Sequence, residues 1–277
     1  MSCKTVFCVI GRDECNQDLM NAINLSLEAD AHLSVLIVGV APSPVGAYNV
    51  MQSSDWLLDR ETELASIRAR QKKVTSLLNV YALSCDVNTE YSHKDWLDDV
   101  IGRRARCSDL VVIGPDLLLQ PQLRDPTIEG VLFQSSRPAL IVPKDAKATL
   151  HPKKVMLAWD GSIEVLRATH EAIDILTGAE EVHLTTVSEA KLAHEKEISH
   201  DAGIAAYLTR RGANVTFDHL PAGRKTVAKV LSDHAASIGA DMVVMGAYGR
   251  SRLRERIFGG VTKSMLDAPS LPIFMMR

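Results

Sequence analysis

The sequence predicts an α/β protein built from two tandem open-sheet domains, each with a five-stranded parallel sheet flanked by helices. Short apolar runs typical of strands alternate with longer amphipathic segments typical of helices. The same order of elements occurs twice along the 277 residues. Strands joined through helical crossovers pair in parallel, and helices then cover both faces of the sheet.

The first half contains five predicted strands with helices between them. The strands are predicted at 4–11, 32–38, 86–91, 108–114 and 138–142, and the helices at 15–30, 55–81 and 95–105. The fourth strand, Ser108-Asp-Leu-Val-Val-Ile-Gly114, is an apolar run that ends in glycine. A short apolar run of this kind is typical of a strand buried on both faces.

The second half repeats this order. Its strands are predicted at 153–160, 182–187, 214–219, 240–246 and 272–276, and its helices at 163–177, 190–211 and 226–238. The fourth strands match closely, because Ala240-Asp-Met-Val-Val-Met-Gly246 follows the pattern of residues 108–114. We therefore interpret the chain as a duplicated α/β domain.

The boundary between the halves is predicted in a polar linker with a proline at each end, Pro143 and Pro152. The predicted domains are residues 1–146 and 152–277. The last strand of each half has an edge open to pairing. We expect these two strands to pair within the chain, so that the two domains associate. Association of two chains into a homodimer is a further possibility.

Composition excludes several classes of protein. With 31 basic and 34 acidic residues the net charge is −3, so no basic stripe suggests a nucleic-acid partner. No apolar run approaches the roughly 20 residues of a membrane span. Five scattered cysteines without a CxxC pair or a signal peptide predict a reduced, cytoplasmic protein. No metal-binding motif and no set of catalytic residues is predicted.

The best candidate for a binding site lies in the second half. In an open parallel sheet, ligands bind beyond the carboxyl ends of the strands, where the strand order reverses. Three segments are predicted there, although they are distant in sequence: Ala158 to Asp160 after the first strand, Val187 at the end of the second, and a glycine-rich segment after the fourth.

The glycine-rich segment has features of a phosphate site. It begins with Met245, Gly246, Gly249 and Arg250, and it continues at Gly259, Gly260, Val261 and Thr262. Glycines let a ligand approach the backbone closely, and the N–H groups at the start of a helix attract phosphate. The spacing does not match a P-loop or a G-x-G-x-x-G motif. Met245 and Val187 offer apolar walls for a base, and Arg250 is the basic side chain nearest the expected phosphates.

The pattern G-x2-G-x9-G after the fourth strand, with Asp160 after the first, resembles the universal stress protein family in its tandem form. The resemblance implies an adenine nucleotide alpha hydrolase-like fold and a bound ATP or ADP, with or without Mg²⁺. Asp160 and Val187 would contact the adenosine. Gly246 and Gly249 would border the ribose and phosphates, and residues 259–261 would hold the phosphates. It implies a cytoplasmic stress-response protein regulated by the nucleotide.

Two departures from the family pattern affect this expectation. Position 260 is glycine where the family has serine or threonine, so a hydroxyl bond to phosphate is lost and weaker binding is expected. In the first half, Leu117 aligns with Gly249, and Asp125-Pro126 stands near the aligned helix start, where a carboxylate repels phosphate and proline lacks an N–H. We expect the first half to lack the phosphate site.

Two other functions stay open at the level of sequence. One is an interaction module that does not use nucleotide. The other is an ATP-using enzyme, with at most slow hydrolysis, since no base or nucleophile stands near the glycine-rich segment.

Overall fold

The architecture comes from a computed structural model that describes residues 3–41, 54–188, 194–248 and 260–277. The chain forms two compact units, residues 2–137 and residues 138–277. Across the described residues, no helix combines the length and the apolar character needed to cross a bilayer.

The first unit contains a parallel sheet of four strands in the order β3-β2-β1-β4. The strands are β1 (Thr5–Gly11), β2 (His32–Ala41), β3 (Cys85–His93) and β4 (Leu110–Ile113). Every residue of β4 is buried, and β1 is buried except at its first residue. These four predicted strands are therefore present, and the apolar runs of the sequence mark two strands that are almost completely buried.

Among the residues that the structure describes, five helices and one π-helical turn accompany this sheet. They are α1 (Gln17–Ala29), α2 (Ser54–Leu78), α3 (Lys94–Ala105), α4 (Pro115–Leu118), α5 (Pro121–Glu129) and the π-helical turn Gly130–Ser135. The expected helix start near Asp125-Pro126 is wrong, because α5 already begins at Pro121. Proline suits the first position of a helix, where its missing N–H has no intrahelical partner.

The second unit contains six strands in the order β5-β10-β9-β6-β7-β8. They are β5 (Ala139–Ile141), β6 (Lys154–Ala158), β7 (Glu181–Ser188), β8 (Val215–Pro221), β9 (Met242–Gly246) and β10 (Ile273–Met276). All pairs are parallel except β5 with β10, which is antiparallel. The mostly parallel open sheet with flanking helices confirms the predicted fold class.

The helices of this unit are α6 (Ile163–Glu171), α7 (Ile173–Gly178), α8 (His194–Arg210), α9 (Val227–Ile238) and α10 (Gly260–Asp267). The single helix predicted at 163–177 is interrupted at Ala172, where the sequence has neither proline nor glycine to announce a break. The helix α10 follows the glycine-rich segment, in the place the sequence predicted.

The strand count differs from five per half because of β5. Ile141 pairs with Ile273 and Ala139 with Met275, so β5 belongs to the compact unit that starts at Pro138. Among the described residues, the first unit thus has four strands and the second has six. The sequence placed the boundary in the polar linker, whereas the second compact unit already begins at Pro138.

Candidate functional site

The carboxyl ends of three neighbouring strands meet at one edge of the second sheet. Ala158, at the end of β6, is paired with Met245 on β9 and with Thr185 on β7. Val187 lies two residues further along β7. The strand order reverses between β6 and β9, which is where open α/β sheets bind ligands. The fold therefore brings together the three segments that the sequence placed near one another.

The turn after β6 is fixed by local hydrogen bonds. Gly161 has a φ of +71°, a conformation that favours glycine. The Ser162 N–H donates to Asp160 Oδ1 at 3.0 Å, and the Ser162 hydroxyl caps α6 by accepting from the Val165 N–H at 3.3 Å. Asp160 is exposed at the strand end. The turn thus holds a solvent-facing carboxylate beside the ends of β7 and β9.

Gly246 has a packing role that the sequence did not suggest. A Cβ at this position would lie 2.4 Å from the Val165 backbone nitrogen and 2.8 Å from the Glu164 carbonyl carbon. The end of β9 therefore packs directly against the first turn of α6. The sequence interpretation gave this glycine to the ligand, but the described neighbours of its missing side chain are backbone atoms of the protein.

Gly260 stands in a different environment. It is the first residue of α10 and is exposed, and a Cβ added there would meet no atom of the described part of the chain within 4 Å. Val261 follows half-buried and Thr262 is buried. Three other predicted residues, Gly249, Arg250 and Gly259, lie outside the described residues. The described part of the phosphate segment is thus a helix N-terminus with open space above its first residue.

Thr262 ties the end of β9 to the first turn of α10. Its Oγ1 accepts a hydrogen bond from the Tyr248 N–H at 3.1 Å, and the residue is 5% exposed. Tyr248 has a φ of +60°, which is uncommon for a side chain of this size. The buried Thr262 hydroxyl, which belongs to the predicted phosphate segment, therefore has a structural role as an acceptor.

We predict that Thr262→Val destabilises the protein by about 1–3 kcal/mol, because it leaves the buried Tyr248 N–H without an acceptor. Thr262→Ser keeps the hydroxyl and is the matched control, with a smaller loss from the deleted methyl group. Urea unfolding of the two variants measures the difference. Equal stability of the valine and serine variants would contradict the structural role of this hydroxyl.

The corresponding corner of the first unit is closed by its own side chains. Asp18 is 1% exposed, and its two carboxylate oxygens accept from the Asp116 N–H and the Leu117 N–H, each at 2.8 Å. In return, Asp116 Oδ2 accepts from the Gln17 N–H at 2.7 Å. Two carboxylates thus satisfy the first N–H groups of α1 and α4 reciprocally.

Burial dominates the electrostatics of this corner. It raises the pKa of Asp18 to about 6, although the two backbone N–H donors oppose the shift. At the neighbouring strand end, the Gln120 side-chain oxygen would lie 2.6 Å from a Cβ at Gly11. An internal carboxylate therefore uses the N–H groups that follow β4.

This reciprocal capping is difficult to predict from the sequence. Asp18 and Asp116 are 98 residues apart, and each looks like an ordinary acidic residue near a helix start. The one available signal is the presence of an acidic residue in the first turn of both helices. The three-dimensional structure was needed to show that each carboxylate caps the other's helix.

Comparison with known proteins shows which family the second half of the chain resembles. Residues 151–277 match the model of the universal stress protein family. The second half of the chain is therefore similar to this family. A universal stress protein of Synechocystis sp. (strain PCC 6803) is 24% identical over 155 residues, which cover 54% of this chain and 50% of that protein. The chain therefore matches about half the length of this curated relative.

Solved structures of similar fold cover nearly the whole chain. A universal stress protein from Archaeoglobus fulgidus is 17% identical, with a TM-score of 0.66 over 98% of this chain and 96% of that one. A protein of unknown function from Pseudomonas aeruginosa PAO1 is 15% identical, with a TM-score of 0.62 over 99% and 92%. At such identities the likeness shows the fold alone.

Proposed function

We propose that this chain is a universal stress protein and that its second half binds ATP or ADP, with or without Mg²⁺, as a regulatory ligand in a cytoplasmic stress response. The observation that carries the proposal is the exposed start of α10 at Gly260, where no atom of the described residues lies within 4 Å of an added Cβ, beside a sheet edge formed by β6, β7 and β9. The open N–H groups of a helix start suit phosphate.

The residues at this edge provide the other parts of a nucleotide site. Asp160 is exposed and would accept hydrogen bonds from an adenine amino group or a ribose hydroxyl. Val187 is half-buried and would pack on the base. Ala158 and Met245 form the apolar floor at the strand ends, with 9% and 4% exposure. Gly260 and Val261 would offer backbone N–H groups to the phosphates.

One observation favours a nucleotide-independent interaction module instead. Thr262, the hydroxyl nearest to Gly260 in sequence on the described part of α10, is only 5% exposed, so its O–H is not presented to a ligand at the exposed start of the helix. Binding through backbone N–H groups alone would be weaker than binding that includes a hydroxyl. We therefore expect modest affinity, and hydrolysis, if any, at a slow background rate, since no described residue at this edge is arranged as a base or nucleophile.

The test uses two substitutions at Gly260, because its open surroundings accept a side chain. Gly260→Ser restores the hydroxyl and should tighten ATP binding roughly ten- to a hundredfold, since a hydrogen bond to a charged group contributes about 1.5–3 kcal/mol. Gly260→Asp should weaken binding at least about tenfold by repulsion of the phosphates. An acidic residue favours a helix N-terminus, so the aspartate variant should fold as stably as the wild type.

Isothermal titration with ATP, ADP and AMP measures these changes. Affinity should increase with the number of phosphates in the wild type and in Gly260→Ser. No binding of ATP up to millimolar concentration by either protein would refute the proposal in favour of the interaction module. Equal ATP affinity of the serine and aspartate variants would refute the placement of the phosphates at α10.

A further inference from the structure

Two histidines and an aspartate converge on one point in the second unit. We call them the His183–Asp218–His234 cluster; they come from β7, β8 and α9 respectively. Asp218 Oδ2 lies 2.7 Å from His183 Nδ1 and 2.8 Å from His234 Nε2. Their side chains are only 12–18% exposed. Three separate elements thus each contribute one nitrogen or oxygen atom to the same partly buried cluster.

The geometry points to a site for a divalent transition metal of the Zn²⁺ class, and this is our proposal. One ligand atom from each residue lies within 4.8 Å of the others. Imidazole nitrogens and carboxylate oxygens bind Zn²⁺ at about 2.0–2.2 Å, so ligand atoms at this spacing need only small movements to surround an ion. Two histidines and one carboxylate leave a coordination position for water. Within the described ranges no other group of His, Cys, Asp and Glu meets this criterion.

A second carboxylate supports His183 as a metal ligand. Glu181 Oε2 lies 3.4 Å from His183 Nε2, on the opposite side of the ring from Asp218. Lys154 Nζ holds the same Glu181 oxygen at 2.9 Å. When Nδ1 binds an ion, the ring proton resides on Nε2, and Glu181 is placed to accept it. Histidine ligands of metals commonly have such an acceptor behind them.

The first unit offers an internal comparison. There, His32 Nε2 lies 2.7 Å from Asp86 Oδ1, again across two neighbouring strands. The other polar partners of this pair are Ser84, Ser34 and Asn88, and no second histidine joins them. A histidine–aspartate pair across strands is therefore common to both halves. The third ligand, His234, distinguishes the second half.

The site is separate from the proposed nucleotide site. His183 precedes Val187 by four residues on β7, which corresponds to about 13 Å along a strand. The proposal therefore does not concern a Mg²⁺ ion carried by ATP. The simpler interpretation is a cluster in which two imidazoles satisfy one half-buried carboxylate, without any metal. Metal binding distinguishes the two interpretations.

In the experiment, the full chain is freed of metal with a chelator and then dialysed. It is titrated with Zn²⁺ by calorimetry and with Co²⁺ by visible absorption spectroscopy. The wild type should bind one ion through this cluster, and Zn²⁺ should raise its thermal unfolding temperature. Asp218→Asn and His234→Gln should each weaken this binding about a hundredfold or more. Glu181→Gln should weaken it about tenfold, as for other residues that orient a ligand.

His219→Gln is the matched control. His219 adjoins Asp218 on β8, and it bonds Thr186 on the neighbouring strand. Adjacent strand residues face opposite sides of a sheet, so this variant should bind Zn²⁺ like the wild type. Circular dichroism checks that each variant is folded. Glu181→Gln is the mildest of these substitutions, and it keeps the test informative if the other variants unfold.

Two results would overturn the proposal. The first is the absence of stoichiometric Zn²⁺ or Co²⁺ binding by the wild type. The second is binding that persists unchanged in Asp218→Asn and is lost when the five cysteines are alkylated, since these all lie in the first half. ATP affinity should be the same in Asp218→Asn and the wild type, so failure of the metal proposal and failure of the nucleotide proposal are measured separately.

Discussion

Gly246→Ala is expected to destabilise the second unit by about 3 kcal/mol. The new methyl carbon would lie 2.4 Å from the Val165 nitrogen and 2.9 Å from its Cα, well inside van der Waals contact. These are backbone atoms at the start of α6, so relief requires β9 and the helix to separate. Forced overpacking of this kind usually costs about 1–3 kcal/mol, and the upper end applies because no flexible side chain can yield.

Chemical denaturation measures the loss, and Gly260→Ala is the matched control. A Cβ at Gly260 meets nothing within 4 Å, so alanine there should change stability by less than about 1 kcal/mol. If Gly246→Ala were as stable as the wild type and lost only ATP affinity, the glycine would serve the ligand, and the close packing of β9 on α6 would be wrong.

The buried carboxylate of Asp18 should make stability fall as pH rises from about 4 to 6. Burial raises its pKa from 3.8 to about 6. Within this window the folded protein keeps a proton that the unfolded chain has released. The contribution of this proton is therefore complete below pH 4 and lost as pH passes 6. The interval between 3.8 and about 6 corresponds to about 3 kcal/mol.

The test compares the wild type with Asp18→Asn from pH 4 to 7 by urea unfolding. Other carboxylates also titrate here, so the informative quantity is the difference between the two proteins at each pH. Asparagine does not titrate, and its amide oxygen can accept only one of the N–H groups of Asp116 and Leu117 in the present geometry. The variant should thus lose more stability relative to the wild type at pH 4 than at pH 7. A difference independent of pH would contradict the raised pKa.

The order of helices and strands could be predicted almost completely from the sequence. Hydrophobic periodicity depends on local geometry, so Leu110–Ile113 and Met242–Gly246 are readable as buried strands without any knowledge of their neighbours. The duplication and the convergence of Ala158, Val187 and Met245 at one edge follow from the rules of parallel sheets. The family resemblance rested on the same glycine spacing, and the match of residues 151–277 bears it out.

The roles of individual side chains required the tertiary structure. The sequence predicts that both Gly246 and Gly260 lie at the ligand, yet Gly246 packs against a helix backbone, whereas Gly260 has no described atom within 4 Å of an added Cβ. Thr262 belongs to the predicted phosphate segment, but it is buried and its Oγ1 accepts the Tyr248 N–H. Such differences arise from contacts between distant segments, which no local pattern encodes.

The sequence by itself determined a duplicated α/β chain whose second half carries the glycine spacing of a universal stress protein. Only the tertiary structure decided that β5 runs antiparallel to β10, that Asp18 and Asp116 close the first corner, and that His183, Asp218 and His234 meet. The physical reason is that periodicity and turn chemistry act within about a dozen residues. Strand pairing, helix capping by remote carboxylates and convergence of ligands depend on segments that the fold alone brings together.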